Sequence, residues 1–294
     1  MKQIIFKGAG VALVTPFINN KVNYDELKRL IDFNIDNGTD AIIITGTTGE
    51  SPTLTDEEHK EVIKFTVDYV NKRIPVIAGT GSNDTEYAVQ LSKYAEKVGV
   101  DGLLLVTPYY NKCTQKGLIE HYTYIADNVN IPIILYNIPS RTGVKITAET
   151  YFELSKHPNI VATKEATADF SLIAKTKALC GDNLHIYSGE DDQVVPLLSM
   201  GGIGVISALS NIKPKSVSDM CRLFFEGNIE ESRKIQLENV DIIEAIFMEV
   251  NPIPVKTALR LMGYNVGELR KPLSEMSEEN LEKLKSVLSK HDFI

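Results

Sequence analysis

Short apolar runs recur along the chain, and glycine or proline bounds each of them. Their sequences are nearly continuous in valine, isoleucine and leucine, rather than alternating between apolar and polar positions. Strands that are buried on both faces have this continuous pattern. The runs predict eight buried strands, over residues 9–16, 40–46, 74–79, 101–108, 131–137, 159–164, 184–189 and 202–207.

The segments between these runs have the periodicity of amphipathic helices. Asn23 is a candidate N-cap for a helix over 24–38, and Thr55 with Glu58 forms a capping box at the start of 55–72. Residues 85–99 and 115–129 follow the same pattern. Strands and helices that alternate at a spacing of roughly thirty residues indicate linked βαβ units.

Eight strands of this kind predict an α/β fold, a closed (β/α)8 TIM barrel. The alternative is a doubly wound open sheet, which ranks second because no G-x-G-x-x-G motif follows the first strand. After about residue 225 only helical patterns follow, over 229–247, 254–263 and 278–290. We therefore predict a barrel over residues 1–225 and a C-terminal all-helical region over 226–294, which packs on the barrel or on another subunit.

Composition and charge narrow the class of protein. With 294 residues, 43% of them hydrophobic, the chain can bury one large core. Its net charge of −8 argues against a nucleic-acid or anionic-membrane partner. The three cysteines form no CxxC pair, which favours free thiols in a reducing cytosol over a disulfide framework or a zinc site. No apolar run reaches membrane-spanning length, so we predict a soluble cytoplasmic protein.

In a barrel of this type, the functional site lies at the carboxyl ends of the strands. The residues that directly follow the apolar runs are therefore the candidates for chemistry. They are Thr47, Thr48, Tyr109, Tyr110, Tyr136, Arg141, Lys164, Glu190, Asp191 and Asp192.

Each candidate also has an ordinary structural interpretation. Threonines are common in turns, tyrosines pack in strands, and an arginine on a loop is usually solvated. The acidic run Glu190–Asp192 is better explained as the start of a helix than as a metal site, because no histidine lies near it. The glycine-rich turns lack the G-K-[ST] of a phosphate loop. We predict neither a metal nor a cofactor.

Lys164 is the unusual residue, because it ends the buried run NIVATK and is followed by a glutamate. A lysine at a barrel mouth can condense with a ketone to form a Schiff base. Lowering the pKa of its amine from about 10.4 to about 8 makes nearly a tenth of it neutral at pH 7, a change worth about 3 kcal/mol. Apolar neighbours and the nearby cation Arg141 can supply this shift, and tyrosine and threonine hydroxyls can relay the protons.

Four motifs in this order, GTTGES, TPYYN, YNIPSRTG and KEAT, resemble the dihydrodipicolinate synthase family of the pyruvate-dependent class I aldolase and N-acetylneuraminate lyase superfamily. The likeness covers essentially the whole chain. It implies a lyase reaction in which pyruvate forms a Schiff base and condenses with L-aspartate 4-semialdehyde, in the diaminopimelate route to lysine.

The resemblance also implies roles for matching residues. Lys164 is the nucleophile and Tyr136 the general acid and base, while Thr47 and Tyr110 complete a proton relay. In the family, the residue at Tyr110 reaches across from a neighbouring subunit, within a homotetramer or homodimer. The substrate-binding positions are Thr48, Arg141, Gly189 and Ile206.

Many members of the family have a lysine feedback site at a subunit interface, and Ser51, His59, Asn83 and Tyr109 match it. Asp56 stands where a histidine is often found, and Tyr87 where a glutamate usually binds the effector's amine. Because that glutamate is missing, we do not expect strong inhibition by lysine.

Two other functions stay open at this point. The chain could be another aldolase of the superfamily, such as N-acetylneuraminate lyase or a 2-keto-3-deoxy-sugar-acid aldolase, although Arg141 and GTTGE favour a carboxylated acceptor. It could also be a non-catalytic barrel that binds a small acid. The first alternative predicts turnover of a sugar, and the second predicts binding without a covalent adduct.

Overall fold

The computed structural model describes residues 2–294. Its strands are short and almost all buried, as the continuous apolar runs require. They are β1 (Gly8–Ala12), β2 (Phe17–Ile18), β3 (Lys21–Val22), β4 (Ala41–Ile44), β5 (Val76–Gly79), β6 (Gly102–Val106), β7 (Ile133–Asn137), β8 (Ile160–Glu165), β9 (His185–Ser188) and β10 (Gly204–Ser207).

Eight of these strands form a closed parallel barrel, in the order β1-β10-β9-β8-β7-β6-β5-β4, and β2 and β3 form a small antiparallel hairpin beside it. The predicted (β/α)8 barrel is therefore confirmed. Several predicted runs extend beyond the strands, because their last residues belong to the loops at the carboxyl ends. The first run, for example, continues four residues past Ala12, which ends β1.

The helices enclose the barrel and then continue as a helical C-terminal region. They are α1 (Tyr24–Asp36), α2 (Asp56–Val70), α3 (Thr85–Val98), α4 (Gln115–Asp127), α5 (Pro139–Thr142), α6 (Ala148–Leu154), α7 (Phe170–Cys180), α8 (Val194–Ser199), α9 (Pro214–Phe225), α10 (Ile229–Glu238), α11 (Val240–Phe247), α12 (Ile253–Leu261) and α13 (Glu278–Lys290). Within residues 2–294, no helix is both long enough and apolar enough to cross a membrane.

The first turns of α1 and α2 are capped by the side chains that the sequence predicts. The Asn23 side chain accepts a hydrogen bond from the Glu26 backbone N–H, and Thr55 and Glu58 form the reciprocal capping box of α2. The single helix predicted over 229–247 was wrong: α10 ends at Glu238, and α11 begins at Val240, after Asn239. Between the two helices, the Asn239 side chain donates a hydrogen bond to the Ser216 hydroxyl on α9.

The core has two layers. The larger one lies between the outer face of the barrel and the helices, and the smaller one fills the barrel interior. At the amino end of the barrel, the rings of Phe6 and Tyr187 stack with centroids 4.4 Å apart, and the Tyr187 hydroxyl donates to the Phe6 carbonyl. Side chains therefore fill the barrel interior at that end, and a site built on the strands is expected at their carboxyl ends.

Candidate active site

Lys164 and Tyr136 lie side by side on neighbouring strands. The register of β7 and β8 pairs Tyr136 with Lys164, and the Lys164 Nζ atom lies 4.4 Å from the centroid of the Tyr136 ring. Lys164 is only 6% exposed, and no carboxylate among residues 2–294 forms an ion pair with it. A buried amine that is in no ion-pair contact, next to a phenol, is an arrangement suited to nucleophilic chemistry.

Both side chains line a small cavity at the carboxyl ends of the strands. The predicted residues Thr48, Arg141, Gly189 and Ile206 line it as well. Its complete wall is made of Ala12, Thr48, Tyr136, Ile138, Arg141, Lys164, Gly189, Glu190, Ile206, Ala208, Phe247 and Asn251. Thr47 lies in an adjoining hollow whose wall also includes Tyr136. The structure thus brings together all but one of the predicted catalytic and substrate-binding residues.

Tyr110 is the exception. Its side chain is 90% exposed, and it lines neither of these hollows. Its backbone has a φ of 67°, in the left-handed region that non-glycine residues seldom occupy. In one chain, therefore, the phenol of Tyr110 projects into solvent rather than toward Lys164.

Gly189 leaves space for the lysine stem. A Cβ atom at this position would lie 3.1 Å from Lys164 Cε and 2.7 Å from Ala166 Cβ. The Gly189 backbone N–H donates to the Glu165 carbonyl, which holds the end of β9 against β8. A larger residue here would displace the Lys164 side chain, so the requirement for glycine comes from the site itself.

A residue of the C-terminal region, Asn251, completes the candidate site. This contribution was not predicted from the sequence. Asn251, just before α12, donates from Nδ2 to the Thr48 hydroxyl at 2.9 Å, and its backbone carbonyl accepts from Arg141 at 3.0 Å. Asn251 therefore links the GTTGES loop to the arginine loop. It lies between α11 and α12, outside both predicted helices, where no local pattern indicated this role.

The GTTGES loop is fixed from behind by a buried ion pair. Glu50 and Lys256 have fully buried side chains, with Lys256 Nζ 2.7 Å from the Glu50 carboxylate. The other Glu50 oxygen accepts from the Arg270 backbone N–H at 3.0 Å. Glu50 itself has a φ of 54°. A lysine inside the apolar helical run PVKTAL was the sequence signal that could have revealed this contact.

Glu165 follows Lys164 but faces the opposite side of β8. Its carboxylate accepts hydrogen bonds from the Tyr151 hydroxyl at 2.8 Å and from the Asn137 side chain at 3.4 Å. Burial raises the pKa of Glu165 to about 7, although these hydrogen bonds oppose the shift. Asn137 also accepts from the Ile146 backbone N–H, so the same cluster closes the loop that carries Arg141.

The acidic run after β9 leads into α8 through a short 3-10 turn, Asp191–Gln193. Asp191 is buried, and one of its oxygens accepts from the backbone N–H groups of Ala208 and Leu209, both at 3.0 Å. Asp192 is exposed. Glu190 lines the cavity with Lys164, and burial raises the pKa of its carboxyl group to about 7. Three adjacent carboxylates therefore have three different environments.

Three of the four residues that match a feedback site line a larger hollow, which adjoins the catalytic cavity and shares Ile138 and Arg141 with it. Ser51, His59 and Tyr109 are in its wall, and the Asn83 side chain donates to the Tyr109 carbonyl at 3.3 Å. Tyr87 also lines this hollow.

Asp56 and Tyr87, the two residues that differ from the family's usual feedback site, contact each other. The Tyr87 hydroxyl donates to Asp56 at 2.7 Å, and Lys60 pairs with the same carboxylate at 2.6 Å. The hydrogen bond from Lys60 is the largest cause that lowers the pKa of Asp56. The Asp56 carboxylate is therefore already neutralised by groups of its own chain.

Comparison with known proteins gives a consistent result. The model of the dihydrodipicolinate synthetase family matches residues 5–291. Proteins named 4-hydroxy-tetrahydrodipicolinate synthase from Clostridium novyi and Clostridium tetani are each 57% identical to this chain; the alignments cover 98% and 99% of it and 97% and 99% of those proteins. The crystal structure of dihydrodipicolinate synthase from Aquifex aeolicus superimposes with a TM-score of 0.96, at 48% identity, over 98% of this chain and 99% of that one.

Proposed function

The chain belongs to the dihydrodipicolinate synthetase family, and on that premise we propose how its residues condense pyruvate with L-aspartate 4-semialdehyde. The enzyme is a lyase with 4-hydroxy-tetrahydrodipicolinate synthase activity, in the diaminopimelate route to lysine. The observation that carries the mechanism is the buried Lys164 amine beside the Tyr136 phenol, in a cavity with Arg141.

In the first step, the neutral Nζ amine of Lys164 attacks the C2 carbonyl of pyruvate. Two proton transfers convert the carbonyl oxygen into water, which leaves as the C=N bond of the Schiff base forms. Tyr136 is the group placed to move these protons, because its side chain contacts that of Lys164. Thr47, in the hollow that Tyr136 shares, extends the relay.

In the second step, C3 of the Schiff base loses a proton and becomes the nucleophilic carbon of an enamine. It attacks the aldehyde carbon of the semialdehyde, whose oxygen takes up a proton and becomes a hydroxyl group. Arg141 binds the carboxylate of this second substrate, since a guanidinium pairs with a carboxylate through two parallel hydrogen bonds. Thr48 and the backbone at Gly189 and Ile206 bind the pyruvate portion.

In the last step, the ammonium group of the semialdehyde gives up a proton and attacks C2. A second proton passes from this nitrogen to Lys164 Nζ, and the bond from C2 to Nζ breaks as the C=N bond of the ring forms. The six-membered ring is released, and the lysine amine is free for another turnover. No metal is needed to activate the pyruvate carbon, because the protonated Schiff base is itself the electron sink, and the hydroxyl relay supplies the proton that the aldehyde oxygen takes up.

The exposed position of Tyr110 supports a contribution from a second subunit. A tyrosine that is 90% exposed and held with a positive φ is poorly explained by its own chain. We propose that the chain forms a homodimer or homotetramer in which Tyr110 completes the relay of its neighbour. The three cysteines are unpaired, in keeping with a reducing cytoplasmic location.

Borohydride reduction in the presence of pyruvate tests the mechanism. Peptide mass mapping is expected to find a reduced pyruvate adduct on Lys164, and none in Lys164→Ala. Lys175→Ala, which removes an exposed lysine of α7, is the matched control and should form the adduct normally. An adduct elsewhere, or none in the unchanged protein, would contradict the mechanism. Turnover of N-acetylmannosamine instead of the semialdehyde would indicate the sugar aldolase.

A further inference from the structure

The second substrate has two charges on one carbon atom, a carboxylate and an ammonium group. Arg141 accounts for the carboxylate, and Lys164 is consumed in the Schiff base. The ammonium group still needs an acceptor, because burying an unpaired cation is costly. Because both charges sit on one carbon atom, a site that binds this substrate should have a negative group in the same cavity as Arg141.

Among residues 2–294, Glu190 is the one carboxylate that lines the cavity, and its side-chain oxygens have neither a hydrogen-bond donor nor an ion-pair partner. Its backbone is fixed, since the Ser188 hydroxyl donates to the Glu190 carbonyl at 2.7 Å and accepts from its N–H at 3.2 Å. The Glu190 carboxylate therefore lies at the cavity wall and makes no hydrogen bond or ion pair that stabilises the fold.

The neighbouring carboxylates do not compete for this role. Asp191 is occupied by two backbone N–H groups, and Asp192 is exposed and outside the cavity wall. Asn251 belongs to the same wall, and within the described part of the chain its buried side-chain oxygen Oδ1 has no hydrogen-bond donor. Two unpaired acceptors on residues of one cavity wall suit a ligand that carries several N–H donors.

We propose that Glu190 is the residue that binds the ammonium group of the aldehyde substrate, with Asn251 Oδ1 as a second acceptor. Glu190 thereby selects an amino-bearing aldehyde over one that lacks the amine. This inference rests on the proposed function, since it assumes that the substrate is aspartate semialdehyde.

The electrostatics of the cavity agree with this role. Burial raises the pKa of Glu190 to about 7, while the charges of Lys164 and Arg141 oppose the shift. The arrival of a further cation favours the ionised carboxylate. The Glu190 carboxyl group can therefore ionise when the ammonium group enters. Before that, it forms no ion pair with Lys164.

The test compares Glu190→Gln with the unchanged enzyme, using two aldehydes. The first is aspartate semialdehyde, and the second is succinate semialdehyde, which has the same carbon chain and carboxylate but no ammonium group. We expect Glu190→Gln to raise KM for aspartate semialdehyde by about tenfold or more, the usual effect of losing a charge-assisted hydrogen bond. The inhibition constant of succinate semialdehyde and the KM for pyruvate should change by less than about twofold.

Asp192→Asn is the matched control. It removes the same charge from an exposed side chain two positions further along the chain. It should leave all three constants unchanged. Glu190→Asp keeps the charge on a shorter stem, and its KM for aspartate semialdehyde should lie between those of the unchanged enzyme and Glu190→Gln. Borohydride trapping of pyruvate on Lys164 checks that each variant is folded and that the first step is intact.

The proposal is overturned if Glu190→Gln raises KM for aspartate semialdehyde and the inhibition constant of succinate semialdehyde by the same factor. An unchanged KM for aspartate semialdehyde would also overturn it. The proposal also fails if Asp192→Asn reproduces the effect, since a general loss of negative charge would then explain it. These outcomes differ from failure of the proposed function, in which the unchanged enzyme itself would form no pyruvate adduct or would not turn over aspartate semialdehyde.

Discussion

Replacing Glu165 with glutamine measures the cost of a buried carboxyl group directly behind Lys164. Glu165 is 4% exposed, and its Oε1 atom has no hydrogen-bond partner within residues 2–294. Burial raises the pKa of its carboxyl group to about 7 from an ordinary value of 4.5, against the hydrogen bonds from Tyr151 and Asn137 and the charge of Lys145. Glutamine keeps the size of the side chain but does not titrate.

The sign of the effect follows from proton binding. Between pH 4.5 and about 7, the folded chain retains a proton on Glu165 that the unfolded chain has already released. The free energy of unfolding therefore falls as the pH rises through this window, and the full penalty is present above about pH 7. The interval between the two pKa values corresponds to about 3 kcal/mol. Glu165→Gln avoids this penalty, so its stability relative to the unchanged protein should increase by about 3 kcal/mol from about pH 4.5 to about pH 8.

Urea unfolding of both proteins at several pH values provides the measurement, at one protein concentration so that self-association affects them equally. Glu149→Gln is the control of opposite sign. Lys175 lowers the pKa of the exposed Glu149 carboxyl group, so that variant should lose a little relative stability as the pH rises toward about 5 and should change no further above it. A difference between Glu165→Gln and the unchanged protein that stays constant with pH, or that moves in the same direction as the control, would refute the reasoning.

Three further changes test other parts of the structure. Lys256→Met should lower the free energy of unfolding by about 3–5 kcal/mol in urea, because Glu50 is then buried without a counter-charge, and adding Glu50→Gln should recover part of the loss. Tyr136→Phe should slow both borohydride-trapped adduct formation and steady-state turnover, whereas Tyr110→Phe should lower turnover with the fold intact by circular dichroism; unchanged rates would remove that residue from the relay. Added lysine should change the initial rate by less than about twofold, because Tyr87 presents a hydroxyl already bonded to Asp56, and strong inhibition would show that another group binds the effector amine.

Much of the barrel could be predicted because its signals are local. Runs of β-branched and aliphatic residues are buried on both faces wherever they occur, and the capping box at Thr55 satisfies the first N–H groups of its own helix. The misplaced boundary at Asn239 has the opposite cause. A continuous helical pattern is interrupted there by a hydrogen bond to Ser216, which comes from a different helix.

The amino-acid sequence by itself determined the eight strands, and with them the set of side chains that follow their carboxyl ends. In a parallel barrel those ends all face one way, so order along the chain was enough to bring Lys164, Tyr136 and Arg141 to one cavity. Tertiary structure alone decided what surrounds them. Asn251 contacts Thr48 across 203 positions of the chain, and Lys256 contacts Glu50 across 206. Contacts at such separations depend on how the C-terminal helices pack against the barrel, and periodicity within a segment has no information about its distant partners.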